Sequence, residues 1–158
     1  MAGRIHQINV SPGGVPKLPV PSAFIGADGL DGDAHNDTRY HGGPERAVCL
    51  YSLEVIEALQ AEGHPIHPGS AGENLTIAGI EWSTVVPGTR LRAGEALLEV
   101  TSFTTPCNKN AQWFIGGDFM RMHHGRHPGW SRVYARVLAE GRVDVGDPVE
   151  LTATEEVP

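Results

Sequence analysis

Glu99-Val100-Thr101-Ser102-Phe103-Thr104-Thr105-Pro106-Cys107-Asn108-Lys109 reads as a strand that runs into a proline and then presents a cysteine. Ala96, Leu98 and Val100 alternate with Leu97, Glu99 and Thr101, the period-two signature of a strand. Pro106 has no N–H to give to a ladder, so the strand ends near it. Cys107 follows where strand gives way to loop, a position at which a rigid scaffold can hold a reactive group. Lys109 stands two residues on, and a nearby ammonium favours the thiolate, the form that attacks and that binds metals. A small buried core cysteine is the competing reading.

Working outward, the 158 residues suit one domain, 1–158, with its own core. Acids outnumber bases by 19 to 12, giving a net charge of −7, opposite in sign to a general nucleic-acid binder. An anionic ligand must therefore be met by a local cluster of bases. No apolar stretch approaches the roughly 18 residues of a membrane span, and Met1-Ala2-Gly3-Arg4 opens without the apolar core of a signal peptide. The expectation is a cytoplasmic protein with both thiols, Cys49 and Cys107, reduced. The 20 glycines and 12 prolines are spread along the whole chain, which predicts many short strands and tight turns, hence a mainly β protein.

The first strand covers residues 5–10. Pro16, Pro19 and Pro21 then predict a loop or a sheet edge, and Ala27–Asp33 a turn. Ala47–Tyr51 is an apolar run that places Cys49 in a buried strand. Ser52 caps a helix over Leu53–Ala61 that stops at Gly63, with Leu53, Val55, Ile56 and Leu59 facing inward. Ala93-Gly94-Glu95 turns a hairpin between Thr89–Arg92 and Ala96–Phe103, and Val143–Thr152 predicts a second. A short helix is expected near Ala111–Ile115, a strand over Val133–Leu138 and a frayed tail at 155–158.

Three stretches carry the polar chemistry. The first runs from Asp33 through His35 to His41, Gly42, Gly43 and Arg46. Its glycines let backbone amides approach an anion, Arg46 offers a planar fork, and His41 can donate a hydrogen bond or move a proton. Asp33, His35 and His41 also permit a zinc hydrolase reading, without helical His spacing or paired cysteines to support it. The second, Gly69–Ile77, sets Glu73 and Asn74 on a glycine-rich turn. Asn74 either reads a heterocycle edge or caps the turn; Glu73 either titrates in a reaction or holds a neighbouring arginine. The third is the opening stretch itself. A further loop, Phe119–Trp130, gathers three histidines, two arginines and a tryptophan, either to close over a ligand or as a solvated face.

In this order, Gly32-Asp33 with His41-Gly42-Gly43-Pro44-Glu45-Arg46, then Gly72-Glu73-Asn74-Leu75-Thr76, then Val100-Thr101 with Pro106-Cys107-Asn108-Lys109, the chain resembles the MOSC domain family, over about residues 5–152. Length and termini are most similar to its stand-alone bacterial, YiiM-like branch. The resemblance implies a β-barrel-like fold with a few short helices and a molybdenum cofactor, a molybdopterin either bare or nucleotide-extended. It implies that Cys107 is the molybdenum ligand, or else a sulfur carrier, and that Asp33, Gly42, Gly43, Arg46, Glu73, Asn74 and Lys109 surround the cofactor with His41 beside the reaction. By likeness to members that reduce N-hydroxylated bases, it implies a reductase of a small-molecule substrate fed by a separate redox partner. The alternative is a non-catalytic carrier of a Cys107 persulfide with its own sulfur donor, or a cofactor-binding module. Many members have an arginine three residues before the cysteine. Here that position is Thr104, leaving Lys17, Arg39, Arg46 or Lys109 to supply the missing contact.

Overall fold

The computed structural model describes residues 3–13, 15–34 and 43–152. His35, Arg39, His41, Gly42 and the tail lie outside them, so the readings placed on those residues stay with the sequence. In chain order the elements are β1 (Gly3–Val10), β2 (Leu18–Val20), β3 (Ser22–Gly26), β4 (Gly29–Leu30), β5 (Val48–Ser52), α1 (Leu53–Ala61), β6 (Leu75–Ala78), β7 (Arg90–Ala93), β8 (Ala96–Phe103), β9 (Val133–Ala139), β10 (Gly141–Asp144) and β11 (Pro148–Thr152).

Strands pair in the order β11-β7-β8-β9-β5-β6-β1, and β1 pairs again with β11, so seven strands close into a barrel. Closure leaves these strands no free edge to recruit another chain. The seam is tied by Ile5 N–H donating to the Asp147 carbonyl at 2.9 Å and Gly146 N–H donating to that of Ile5 at 2.8 Å. β2 extends the sheet beyond β1, with Pro19 opposite Asn9. This is the edge position that a proline tolerates. Of the barrel pairs only β5–β6 is parallel, and α1 supplies the crossover that a parallel pair requires.

Alternating apolar residues fill the interior: Ile5, Ile8, Leu50, Leu75, Ile77, Leu91, Leu98 and Val133 are all fully or almost fully buried. Each such side chain contributes about 1.5–3 kcal/mol relative to leaving it in water. Helix α1 starts as its sequence predicts, with Ser52 Oγ accepting the Val55 N–H at 3.1 Å, and drives Ile56 and Leu59 into the same core. β3 and β4 form a hairpin turned by Ala27-Asp28. At Gly29 (φ 122°) a Cβ would fall 2.5 Å from the Ala47 carbonyl oxygen, so this turn presses directly on the entry to β5.

Two expectations are corrected. Val143–Thr152 is not a hairpin. The turn exists, with Asp147 N–H donating to the Asp144 carbonyl at 3.0 Å, but β10 pairs with β3 while β11 pairs with β7 and β1. The backbone groups on either side of the turn are taken by different sheets. The helix expected at Ala111–Ile115 is replaced by successive 3-10 turns at Asn108–Trp113, Ile115–Gly117 and Phe119–Met122. Phe114 is extended (φ −132°, ψ 142°) and ends the first stretch, and Gly116 and Gly117 at φ of 65° and 73° break the next.

Candidate functional site

Strand β8 reaches the site through a bulge. Val100 faces Ala135 of β9 and Ser102 faces Tyr134, so Thr101 is the extra residue that re-aims the strand end. The last rung is Thr104 N–H donating to the Arg132 carbonyl at 2.9 Å. Pro106 ends the ladder. Cys107 then caps a 3-10 turn, its carbonyl accepting the Asn110 N–H at 2.9 Å, and is left half-buried at the wall of a pocket.

That pocket holds about 650 Å³ of empty space, counted to its open mouth. Cys107, Lys109 and Asn110 form one wall; Arg46 and Cys49 come from the approach to β5 and from β5 itself, and Arg132 and Tyr134 from the start of β9. Val15, Lys17, Ala71, Gly72 and Asn74 close the other side. Gly72 presents bare backbone there. At its φ of 100° a side chain would be strained, and a Cβ would meet Val15 Cγ1 at 2.9 Å.

Cys49 and Tyr134 are cross-strand partners, buried yet outside the barrel's core cluster, whereas their neighbours Val48, Leu50, Val133 and Ala135 belong to it. The pair therefore turns from the core toward the pocket. Burial pushes the Cys49 thiol up to about 11, so it is a neutral thiol at ordinary pH, in contact with Thr104 Oγ1 at 3.9 Å. Burial also raises the Tyr134 phenol, which stays protonated.

The polar residues singled out in the sequence divide into two groups. Cys107, Arg46, Asn74 and Lys109 line the pocket; Asp33, Gly43 and Glu73 do not. Asp33 supports it from behind: Oδ1 accepts from Lys17 Nζ at 2.7 Å and from Ser11 N–H at 2.9 Å, and Oδ2 accepts from Asn74 Nδ2 at 2.8 Å. With both oxygens engaged it is a scaffold for Lys17 and Asn74. Among the described residues no group of three His, Cys, Asp or Glu side chains is placed to hold a metal ion. Asn74 pins β5 to β1, its Oδ1 accepting the Cys49 N–H at 2.9 Å and its Nδ2 donating to the Asn9 carbonyl at 3.2 Å. Its amide bridges β5, β1 and Asp33, a strand tie rather than the turn cap that one of its two readings expected. Glu73 is fully buried, with Oε2 accepting from Gly69 N–H and Thr76 Oγ1, both at 2.8 Å. Desolvation raises its carboxyl above the ordinary range. Gly43 (φ 79°) begins the 3-10 turn at Pro44–Arg46.

Sequence reading missed Arg132 and Tyr134. Arg132 is 5% exposed, donates from Nη1 to the Ala71 carbonyl at 2.8 Å, and has no hydrogen-bond partner at Nε. The signal was available: Arg132 and Tyr134 alternate with the core residues Val133 and Ala135, so a strand otherwise packed on the barrel carries a cation and a phenol on its other face. In the loop from Phe119 to Trp130, Gly125, Arg126 and Pro128 are exposed while other residues pack inward. Arg121 grips Glu62 with two hydrogen bonds of 3.0 and 2.7 Å and lies 4.0 Å over the Trp130 ring, while His124 stacks on Phe103 at 3.5 Å. None of these residues lines the pocket.

A model of the MOSC domain matches residues 37–150. The chain belongs to the MOSC domain family. MOSC relatives include YflK of Bacillus subtilis, 34% identical over 145 residues, and YiiM of Escherichia coli, 31% identical over 148 residues. Each alignment covers 90% of this chain and 65% of the relative, so the chain spans just under two thirds of the length of the curated relatives it matches. The crystal structure of YiiM from Geobacillus stearothermophilus superimposes with a TM-score of 0.74 at 28% identity, covering 96% of this chain and 75% of that one. The β-barrel expected from the resemblance is therefore the fold, and the family associates this MOSC domain with the molybdenum cofactor.

Proposed function

We propose that this MOSC protein holds a molybdenum cofactor in the pocket beside Cys107 and reduces N-hydroxylated small molecules with electrons from a separate redox partner. One observation carries the reading. In a chain of net charge −7, one pocket is lined by a half-exposed thiol and by Arg46, Lys109 and Arg132, beside a Lys17 already paired with Asp33, and no carboxylate is among its described lining residues.

The donor set fits the group. A thiolate is a soft ligand suited to molybdenum, and the bases suit a pterin phosphate. The unpartnered, buried Nε of Arg132 is a donor waiting for an acceptor, and the bare backbone of Gly72 gives a flat ligand close approach. Cys107 would hold the metal, with Arg46, Lys109 and Arg132 around the anionic part. When bound, the cofactor would supply the two-electron reduction of the N–O bond. The chain's own part is binding and orientation. Asp33 and Asn74 fix the wall, the neutral Cys49 thiol fills space without competing as a ligand, and the protonated Tyr134 phenol belongs to the pocket lining. His41 remains the proton donor suggested by the sequence.

The test is reduction of an N-hydroxylated purine by cofactor-loaded protein with a chemical electron donor. Turnover that Cys107→Ser abolishes supports the reading. The accessibility of Cys107 also favours a second reading, a persulfide carrier, since such a carrier needs a thiol that a donor can reach. Cyanide-releasable sulfur on Cys107 in metal-free protein, with no turnover by loaded protein, would decide for that alternative.

A further inference from the structure

Arg132 is the least expected group in the molecule. A guanidinium is charged at any physiological pH and is costly to bury unless it is paired. Here it is 5% exposed, and among the described residues no carboxylate pairs with it. Glu73 is close enough to feel its charge but turns its hydrogen bonds to Gly69 and Thr76. One protein acceptor, the Ala71 carbonyl, serves the whole fork, and Nε is left without one. The side chain lines the pocket.

Position 104 lies beside Arg132, the residue that precedes β9. The Thr104 N–H donates to the Arg132 carbonyl, so the two residues are neighbours on adjacent chain segments. Thr104 itself is 2% exposed, with its hydroxyl against the Cys49 thiol, and the space there is already filled by a small side chain. We propose that Arg132 is the anion anchor of this pocket, gripping a phosphate group of the ligand and taking over, from the residue just before β9, the role of the arginine that many MOSC proteins carry at the position of Thr104. This deepens the cofactor reading and rests on it for the identity of the ligand, but not for the anion site itself. Lys109 at the exposed wall adds charge, whereas Lys17 is neutralised by Asp33.

The test titrates inorganic phosphate and pyrophosphate into cofactor-free protein by calorimetry, comparing wild type with Arg132→Lys, Arg132→Gln and the distant surface control Arg142→Gln. Wild type and Arg142→Gln are expected to bind alike. Arg132→Gln should weaken binding at least about tenfold, the scale of a lost charge-assisted hydrogen bond. Arg132→Lys should recover part of that loss and keeps the test usable if the glutamine variant does not fold. Unchanged affinity in Arg132→Lys and Arg132→Gln, or no binding of either anion by wild type, overturns the proposal. Molybdenum and pterin content measured on the same variants separates the two claims. Arg132-dependent phosphate binding in a protein that never takes up cofactor would sink the cofactor reading alone. Full cofactor loading in Arg132→Gln would sink this assignment alone.

Discussion

At the residue scale, the two thiols sit in one pocket and differ in chemistry because their surroundings differ. Cys49 is 6% exposed and its thiol is raised to about 11, whereas Cys107 is half-buried at the pocket wall. At pH 7 only about one Cys49 in ten thousand is thiolate. A thiol reagent added to native protein at neutral pH should therefore modify Cys107 promptly and Cys49 only after unfolding. Rapid modification of both in the native state would contradict the burial of β5. Glu73 yields a prediction with a definite sign. Its folded carboxyl titrates above the ordinary value of 4.5, so the native state binds a proton more tightly than the unfolded chain. Any stability linked to Glu73 is present in full below pH 4.5 and is lost as pH rises through the higher folded value. Denaturation of wild type and Glu73→Gln from pH 4 to 8 should show the wild type losing ground to the variant as pH increases. A difference that is flat, or that moves the other way, would mean that the carboxylate is better compensated than its single unpartnered oxygen indicates.

At the element scale, local grammar predicted most of what formed. The helix over Leu53–Ala61 was readable because its cap, apolar face and stop are encoded within a dozen residues. Its clearest check is Ser52→Ala, which removes the acceptor for Val55 N–H and should cost about 1 kcal/mol in chemical denaturation. Cofactor content should not change, since α1 lines no part of the pocket. β8 and its hairpin with β7 were equally plain from period-two alternation and a glycine turn. The failures have physical causes. Val143–Thr152 has hairpin residues and a hairpin turn, but its strands are claimed by partners more than a hundred residues away, β3 and β1, which no local pattern announces. Asn108–Met122 has helix-compatible composition broken by an extended Phe114 and then by two glycines in left-handed conformation. In the site, Cys107, Arg46, Asn74 and Lys109 were legible from motif order. Arg132 was not, because its significance lies in being buried without a counter-ion, and burial is a product of the fold. Asp33 and Glu73 were legible as polar residues in the right stretches, but only packing shows that they brace the pocket from behind its lining.

At the scale of the whole molecule, a chain of net negative charge carries a pocket lined by several bases on a closed barrel. The net charge of −7 disfavours nucleic acid, and no helix among the described residues is long and apolar enough to cross a membrane. Local bases can nonetheless focus an anion into a cleft against the overall sign of the protein. Barrel closure makes this possible. With β5, β8 and β9 locked side by side, the bulge at Thr101 and the stop at Pro106 hold Cys107 in the same pocket lining as Cys49, Tyr134 and Arg132. The function proposed for this wall is the binding of a molybdenum cofactor through Cys107. Its most direct test is elemental analysis for molybdenum, together with pterin fluorescence, on protein made in a host that synthesises the cofactor. Near-stoichiometric metal and pterin are expected in the wild type, with loss of the metal in Cys107→Ser. Absence of both from the wild type, or metal retained in full by Cys107→Ser, would contradict the proposal.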